Sequence, residues 1–320
     1  MKKEKTGMSV AKHIGEFSGK YGIVLIFVLL VAVAAILQPV FLHPRNITNV
    51  LRQVSVNGIL ATGMTFVIIS GAIDLSVGTI FCMCGMVMMF VMPRTGWMGA
   101  ILVGLILGAM IGCCNGYMVY RGMPAFIMTL AMSILLKGCS FILSNGTPIA
   151  SSSTTYNALG QSYFLKVPVQ VYIYFLIVIV ATIVLGRTRF GRSVYAIGGN
   201  IEVARLSGIN VKKTRILVYI ISGVLAAISA VIGTARLGSC EPTLGEDYHS
   251  DAIAATVIGG TLMSGGEGHQ MKTMVGVLLL GVLSNILNLT GVTPYAQYVV
   301  KGLIIIGAVA SDIFRRVKMN

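Results

Sequence analysis

Charge is what this sequence has least of. Only 11% of its 320 residues are Asp, Glu, Lys or Arg, against about 25% in soluble domains, so a large solvated surface is excluded. Acidic residues are the scarcer kind: ten stand against 24 basic ones, for a formal net charge of +14. That excess does not describe a nucleic-acid surface, because the basic residues fall between apolar runs and form no patch interleaved with aromatics. The histidines are His13, His43, His249 and His269, and no pair of them stands at ligand spacing or in an acid–base cluster. Cys82, Cys84, Cys113, Cys114, Cys139 and Cys240 lie mostly inside apolar segments, where a thiol serves packing. The sequence thus offers no metal site, no cofactor of its own and no catalytic group.

Apolar residues supply what remains: 56% of the chain is hydrophobic and its mean hydropathy is +0.87. A bilayer core about 30 Å thick takes about 20 helical residues per crossing. Segments of that kind fall near 22–42, 50–70, 79–92, 97–119, 124–143, 167–186, 214–235, 252–264, 271–291 and 295–314. The expected fold is all-α, a polytopic transmembrane bundle of about ten segments. The third and eighth look too short to span and are expected to be tilted, broken or re-entrant, which requires protein or a watery cavity around them. The first run contains Ala32-Val33-Ala34, a small-residue pattern of the signal-peptidase type, but it continues well past that point and reads as an uncleaved anchor. The domain plan is a cytoplasmic tail over 1–21, one transmembrane domain over 22–314 with a cytoplasmic loop at 187–213, and a tail over 315–320.

The basic residues test this count, since Lys and Arg accumulate in cytoplasmic loops. With both termini inside, ten crossings place seventeen of the 24 basic residues on the cytoplasmic side, seven of them in the 187–215 stretch. Several of the others, such as Lys137 and Lys301, stand near segment ends where they can snorkel. Eight crossings also satisfy the pattern if both short segments dip in and return.

Two carboxylates interrupt this apolar chain. Asp74, in "SGAIDLSVG", stands at the junction of segments two and three, and Asp251 at the junction of segments seven and eight, an offset of five. Each precedes a short glycine-broken stretch, on opposite sides of the membrane. Two inverted five-segment halves produce that arrangement, with broken segments at matching positions directed to a translocation pathway. An N-cap role, accepting hydrogen bonds from the free N–H groups of the next turn, also suffices for each Asp. Thr65, Ser76, Asn115 and Thr256 add hydroxyl and amide groups suited to a small polar solute. The spacing of Gly104, Gly108, Gly112 and Gly116 puts one smooth stripe on a helix face, a packing surface for a neighbouring backbone.

No motor is visible. The nearest approach to a phosphate-binding loop, "GGEGHQMKT", has Met271 where the glycine before Lys272 is required. The long loop contains a helix of two turns, with Asn200 as its cap, Ile201, Glu202, Val203, Ala204, Arg205 and Leu206 as its body, and Gly208 as a left-handed stop. So short a helix is unstable alone in water. It reads as a docking element, with Ile201, Ala204 and Leu206 as apolar contacts and Arg205 as a polar one; a surface helix resting on its own membrane domain is the other reading.

The stretches "NGILATGMTFVIISGAIDLSVG", "YAIGGNIEVARLSGINVKKTR" and "EPTLGEDYHSDAIAATVIGGTLMSGGEG" resemble the membrane permeases of ribose-type sugar ABC importers, within the branched-chain amino acid/ribose permease superfamily. The likeness runs from about residue 40 to nearly the end of the chain. It implies a permease in the bacterial cytoplasmic membrane, paired with a second copy or a related permease. It implies two ABC ATPase subunits that hydrolyse ATP, and an extracytoplasmic sugar-binding protein that delivers the solute. The region from Asn200 to Gly208 would hold the coupling helix seated in the ATPase. After "GGEG" the chain departs from the pattern and reads His269-Gln270-Met271-Lys272. A secondary transporter driven by an ion gradient is the alternative, and a passive channel is disfavoured by the want of a charged ring.

Overall fold

The computed structural model describes the backbone of residues 22–317 and the side chains as far as residue 307, with Ala310. The tail expected over 1–21 lies outside the described residues. Helix α1 (Gly22–Leu37) stops short of the expected residue 42, because Pro39 has no N–H and its ring cannot follow a helical turn. A 3₁₀ turn (Pro39–Leu42) leads to α2 (Pro44–Ile69), which opens with Pro44 in its first turn and so begins earlier than hydropathy indicates.

The third and fourth segments form α3 (Val77–Tyr120), kinked at Gly96, whose φ of 69° and ψ of 171° only glycine tolerates easily. The portion before Gly96 is longer than residues 79–92, and this corrects the expectation of a short third segment: Pro93 stands inside the helix without ending it. After α4 (Ala125–Ser144) come strand β1 (Ile149–Ala150), α5 (Thr154–Gln161), the hairpin β2 (Tyr163–Phe164) and β3 (Val167–Pro168), and α6 (Val169–Arg187). Two short helices, α7 (Arg189–Gly199) and α8 (Ile201–Leu206), precede α9 (Val211–Leu237). Strand β4 (Ser239–Cys240) pairs antiparallel with β1. Helix α10 (Tyr248–Ile258) has 11 residues, about 16 Å, too few to span a bilayer. Helices α11 (Gln270–Leu289) and α12 (Pro294–Val317) complete the chain, the last continuing beyond residue 314.

Among the described residues, α2, α3, α4, α6, α9 and α11 are long and apolar enough to cross a membrane. The fold is an all-α membrane bundle. Helices α2 and α9 form its centre, and α4 and α6 turn apolar side chains such as Ile134, Ile142 and Leu176 outward. Lipid is as apolar as those side chains, so close helix contact depends on small residues. The glycine stripe of α3 supplies it. A Cβ on Gly112 would meet the Tyr219 carbonyl of α9, one on Gly108 would meet the Gly223 carbonyl, and one on Gly116 would lie 2.8 Å from Ile216 Cα. Gly104 instead receives Met88 from the other part of α3. Helices α2 and α9 cross antiparallel: a Cβ on Gly63 would lie 3.1 Å from Ser222 Cα, and two turns away the Ser229 hydroxyl donates to the Val56 carbonyl at 2.8 Å.

Candidate translocation and coupling sites

The residues between α2 and α3 answer how a carboxylate is tolerated here. Helix α2 closes in a Schellman turn: Gly71, with φ 76°, donates to the Ile68 carbonyl and Ala72 to that of Val67. Arg215 of α9 donates to the Ser70 carbonyl at 2.8 Å, adding positive charge at the negative end of the α2 dipole. The chain then runs extended, and neighbours satisfy its backbone. Tyr219 donates to the Ile73 carbonyl at 3.2 Å, and the Leu75 N–H donates to Thr129 of α4 at 3.1 Å.

Asp74, 0% exposed, accepts three hydrogen bonds. Oδ1 takes the Ser76 N–H at 3.0 Å and the Ser76 hydroxyl at 2.6 Å, and Oδ2 takes the Ser222 hydroxyl at 3.0 Å. Asn115 Nδ2 donates to Ser76 Oγ at 2.9 Å. The arrangement is a four-residue relay joining the break to both parts of α3 and to α9. Asp74 is not the N-cap of α3. That position belongs to Ser76, two residues on, and Asp74 holds the start of the helix through it.

Asp251 is placed differently. It lies inside the first turn of α10, whose N-terminus begins at Tyr248, so it neither caps the helix nor stands at a junction. Its carboxylate faces Lys301 of α12, at 2.9 Å to Oδ1 and 3.0 Å to Oδ2, and Asn57 Nδ2 of α2 approaches at 3.4 Å. These groups border a cavity of about 360 Å³ between α2, α9, α10 and α12, whose other polar lining includes Gln53, Arg236, Asp247, Gln297 and Tyr298.

A second buried polar group lies between these two places. Thr65 contacts Thr273 of α11 at 3.1 Å, Gln270 donates to Thr62 at 2.7 Å, and Thr256 reaches the Ala61 carbonyl at 3.4 Å. The expected pathway residues are therefore not one constellation. Asp74, Ser76 and Asn115 share a relay, Thr65 and Thr256 share the α2–α10–α11 interface, and Asp251 borders the cavity. Gln270, Thr62, Thr273 and Ser222 join these groups and escaped the sequence reading, each a polar residue in or beside an apolar run, whereas Lys301, expected to snorkel from a segment end, pairs with Asp251. Among the described residues, no group of His, Cys, Asp and Glu is set to hold a metal ion.

At the opposite end from the cavity, α7 meets both broken regions through glycine. A Cβ on Gly198 would strike the Ile69 carbonyl and lie 2.5 Å from Gly266 N; one on Gly265 would lie 2.6 Å from Gly71 Cα. Gly266 donates to the Ile69 carbonyl at 2.9 Å, and Tyr195 to the Gly268 carbonyl at 2.8 Å. Burial pushes the Tyr195 phenol up from its ordinary range, which keeps it a donor. Beyond this junction, Asn200 Oδ1 accepts from Glu202 N and Val203 N at 3.0 and 3.1 Å, and Gly208, with φ 80°, ends α8 in a second Schellman turn. Arg205 pairs with Glu202 within the helix. Leu206 is 82% exposed and Val203 58%, whereas Ala204 is 3% exposed. Ala204 therefore faces its own chain and not outward as expected, and the exposed apolar side chains of α8 are Ile201, Val203 and Leu206.

These elements make a helical membrane bundle with polar groups at its breaks and a short capped helix beyond them. The family described as "Branched-chain amino acid transport system / permease component" matches residues 46–309, and the chain belongs to it. It is 43% identical to the ribose import permease protein RbsC of Bacillus subtilis over 311 residues, covering 95% of this chain and 93% of that one. Identity to the Escherichia coli K12 protein of the same name is 42%, covering 89% and 90%, and to the xylose transport system permease protein XylH of that strain 35%, covering 93% and 94%. No solved structure matches the chain. The protein is a multi-pass membrane permease.

Proposed function

We propose that the chain is the membrane subunit of an ATP-driven ABC importer that carries a monosaccharide across the cytoplasmic membrane, with pentoses the first solutes to test. The observation that carries this is identity above 40%, over nine-tenths of both chains, to proteins named ribose import permeases. The reading includes ten crossings with both termini cytoplasmic, a transmembrane domain over 22–314 and short tails. In this reading the crossings are made by α1, α2, the two parts of α3, α4, α6, α9, α11 and α12, with the eighth made by the short α10 together with the broken chain that leads to α11. The clustering of the α2 terminus, α7 and the loop before α11 at one end supports the same parity. Antiparallel crossing of α2 and α9 at Gly63–Ser222 and Val56–Ser229 is what two inverted five-segment halves require of their equivalent second helices.

ATP is hydrolysed by partner subunits in this reading. Helix α8 seats in the ATPase through Ile201, Val203 and Leu206, with Asn200 and Gly208 fixing its ends. Its motion passes through α7 to the relay at Asp74, Ser76 and Asn115 and to Thr65 and Thr256. A second permease copy or a related permease completes the membrane unit, and a sugar-binding protein supplies solute at the face bearing Glu241, Glu246 and Asp247, whose charges steer its approach. The test is uptake of D-ribose and D-xylose by proteoliposomes containing the permease with the ATPase and binding protein encoded beside it. Uptake that needs ATP and all three components is expected. Uptake by the permease alone under a proton or sodium gradient overturns the reading in favour of a secondary transporter.

A further inference from the structure

The cavity beside Asp251 carries an inference that rests on the importer reading and goes beyond it. Its lining is electrically balanced, Arg236 and Lys301 against Asp247 and Asp251. A charged solute entering there leaves one of these groups uncompensated as water is expelled, whereas a neutral solute does not. The amides of Gln53 and Asn57 offer donors and acceptors, and Gln297, whose N–H groups are taken by Asn288 and the Val292 carbonyl, offers its oxygen, the pairing that a ring of hydroxyl groups needs. A volume of about 360 Å³ falls in the usual range of small-molecule pockets.

The floor of this cavity is closed by an ion pair. Lys301 Nζ lies 2.9 and 3.0 Å from the two Asp251 oxygens, with side chains only 25% and 15% exposed. Beneath it, Gln53, Asn57 and Asp251 also border a narrower recess that descends between α2, α10 and α11 past Ala255 and Ser284. Thr256, Thr65 and Thr273 lie further along the same interface. The pair joins α10 to α12, and a second link between those helices, Tyr298 to Asp247 at 2.9 Å, stands at the rim. A hydroxylated solute can replace either partner's hydrogen bonds, so the contact is suited to exchange for one with the solute.

We propose that this cavity is the outer vestibule for a neutral polyhydroxylated solute and that the Asp251–Lys301 pair is the gate at its base. The test uses the complete transporter in cells, with Ser284→Cys, which lines the recess and not the cavity, as reporter and a membrane-impermeant thiol reagent applied outside, rates being taken above those of the parent protein. Labelling is expected to rise at least five-fold in Lys301→Met, to stay slow in Lys301→Arg, and to return to the slow rate in the exchange Asp251→Lys with Lys301→Asp. Whichever of D-ribose and D-xylose is carried should slow labelling several-fold, and a carboxylated sugar of like size should not. Equal labelling in all variants overturns the gate, with Lys301→Arg as the folding control. Uptake of a sugar that never protects Ser284→Cys overturns the vestibule but leaves the importer reading standing, whereas an ATP-energised complex that carries no monosaccharide overturns both.

Discussion

Ser222 donates to Asp74 at 3.0 Å across the bundle, from the middle of α9 to the break that follows α2. The same serine backs onto Gly63 of α2, so one residue of α9 meets both that helix and its broken end. The donors on Asp74 are the Ser76 N–H and the hydroxyls of Ser76 and Ser222. Removing the acceptor strands several at once, and an unsatisfied buried polar group costs about 1–3 kcal/mol. Asp74→Ala is therefore expected to lower the detergent-solubilised melting temperature more than Asp74→Asn, whose amide oxygen still accepts from Ser76. Equal losses in thermal unfolding would remove the relay from the stability of the break.

The two neighbouring glycines at the end of α7 give a paired test. A Cβ on Gly198 meets the Ile69 carbonyl, whereas one on Gly199 meets open space. Gly198→Ala is expected to lower sugar uptake at least ten-fold at equal membrane abundance, and Gly199→Ala to stay within two-fold. Similar uptake for both, measured with quantified protein, refutes the close junction.

If α8 docks as proposed, docking and folding separate by residue. Leu206→Glu is expected to leave the melting temperature within 1–2 °C and abolish copurification with the ATPase, because its side chain touches little of its own chain. Asn200→Ala removes the acceptor of two N–H groups and should weaken the helix by about 1 kcal/mol, seen as partial loss of copurification. Ala204→Leu is expected to destabilise the loop itself, read as faster proteolysis there.

In the glycine stripe, Gly112→Val is expected to prevent folding, since the added atoms meet the α9 backbone at Tyr219. Gly138→Ala, with nothing nearby, is its neutral control. Expression and monodispersity on size exclusion check both.

What could be read beforehand was mostly local. The span positions followed from apolar runs, and α8 from Asn200 and Gly208, because a cap and a left-handed stop act on adjacent backbone. Asp251 was misplaced because α10 begins in the polar stretch Tyr248-His249-Ser250, where hydropathy gives no sign of a helix. The third segment looked short because Pro93 and Arg94 resemble a terminus, and the bend falls instead at Gly96. Ser222 and Gln270 were missed, and Lys301 was assigned to snorkelling, for another reason: their partners are Asp74, Thr62 and Asp251, distant in sequence and brought near only by helix crossing.

The seam among Gly71, Gly198, Gly265 and Gly266 sets main chain directly on main chain. Rotamers ordinarily act as springs between neighbouring helices, and this contact has none. A push on α7 has no soft layer in which to dissipate, so the ends of α2 and of the α10–α11 loop must shift together or the contact must part.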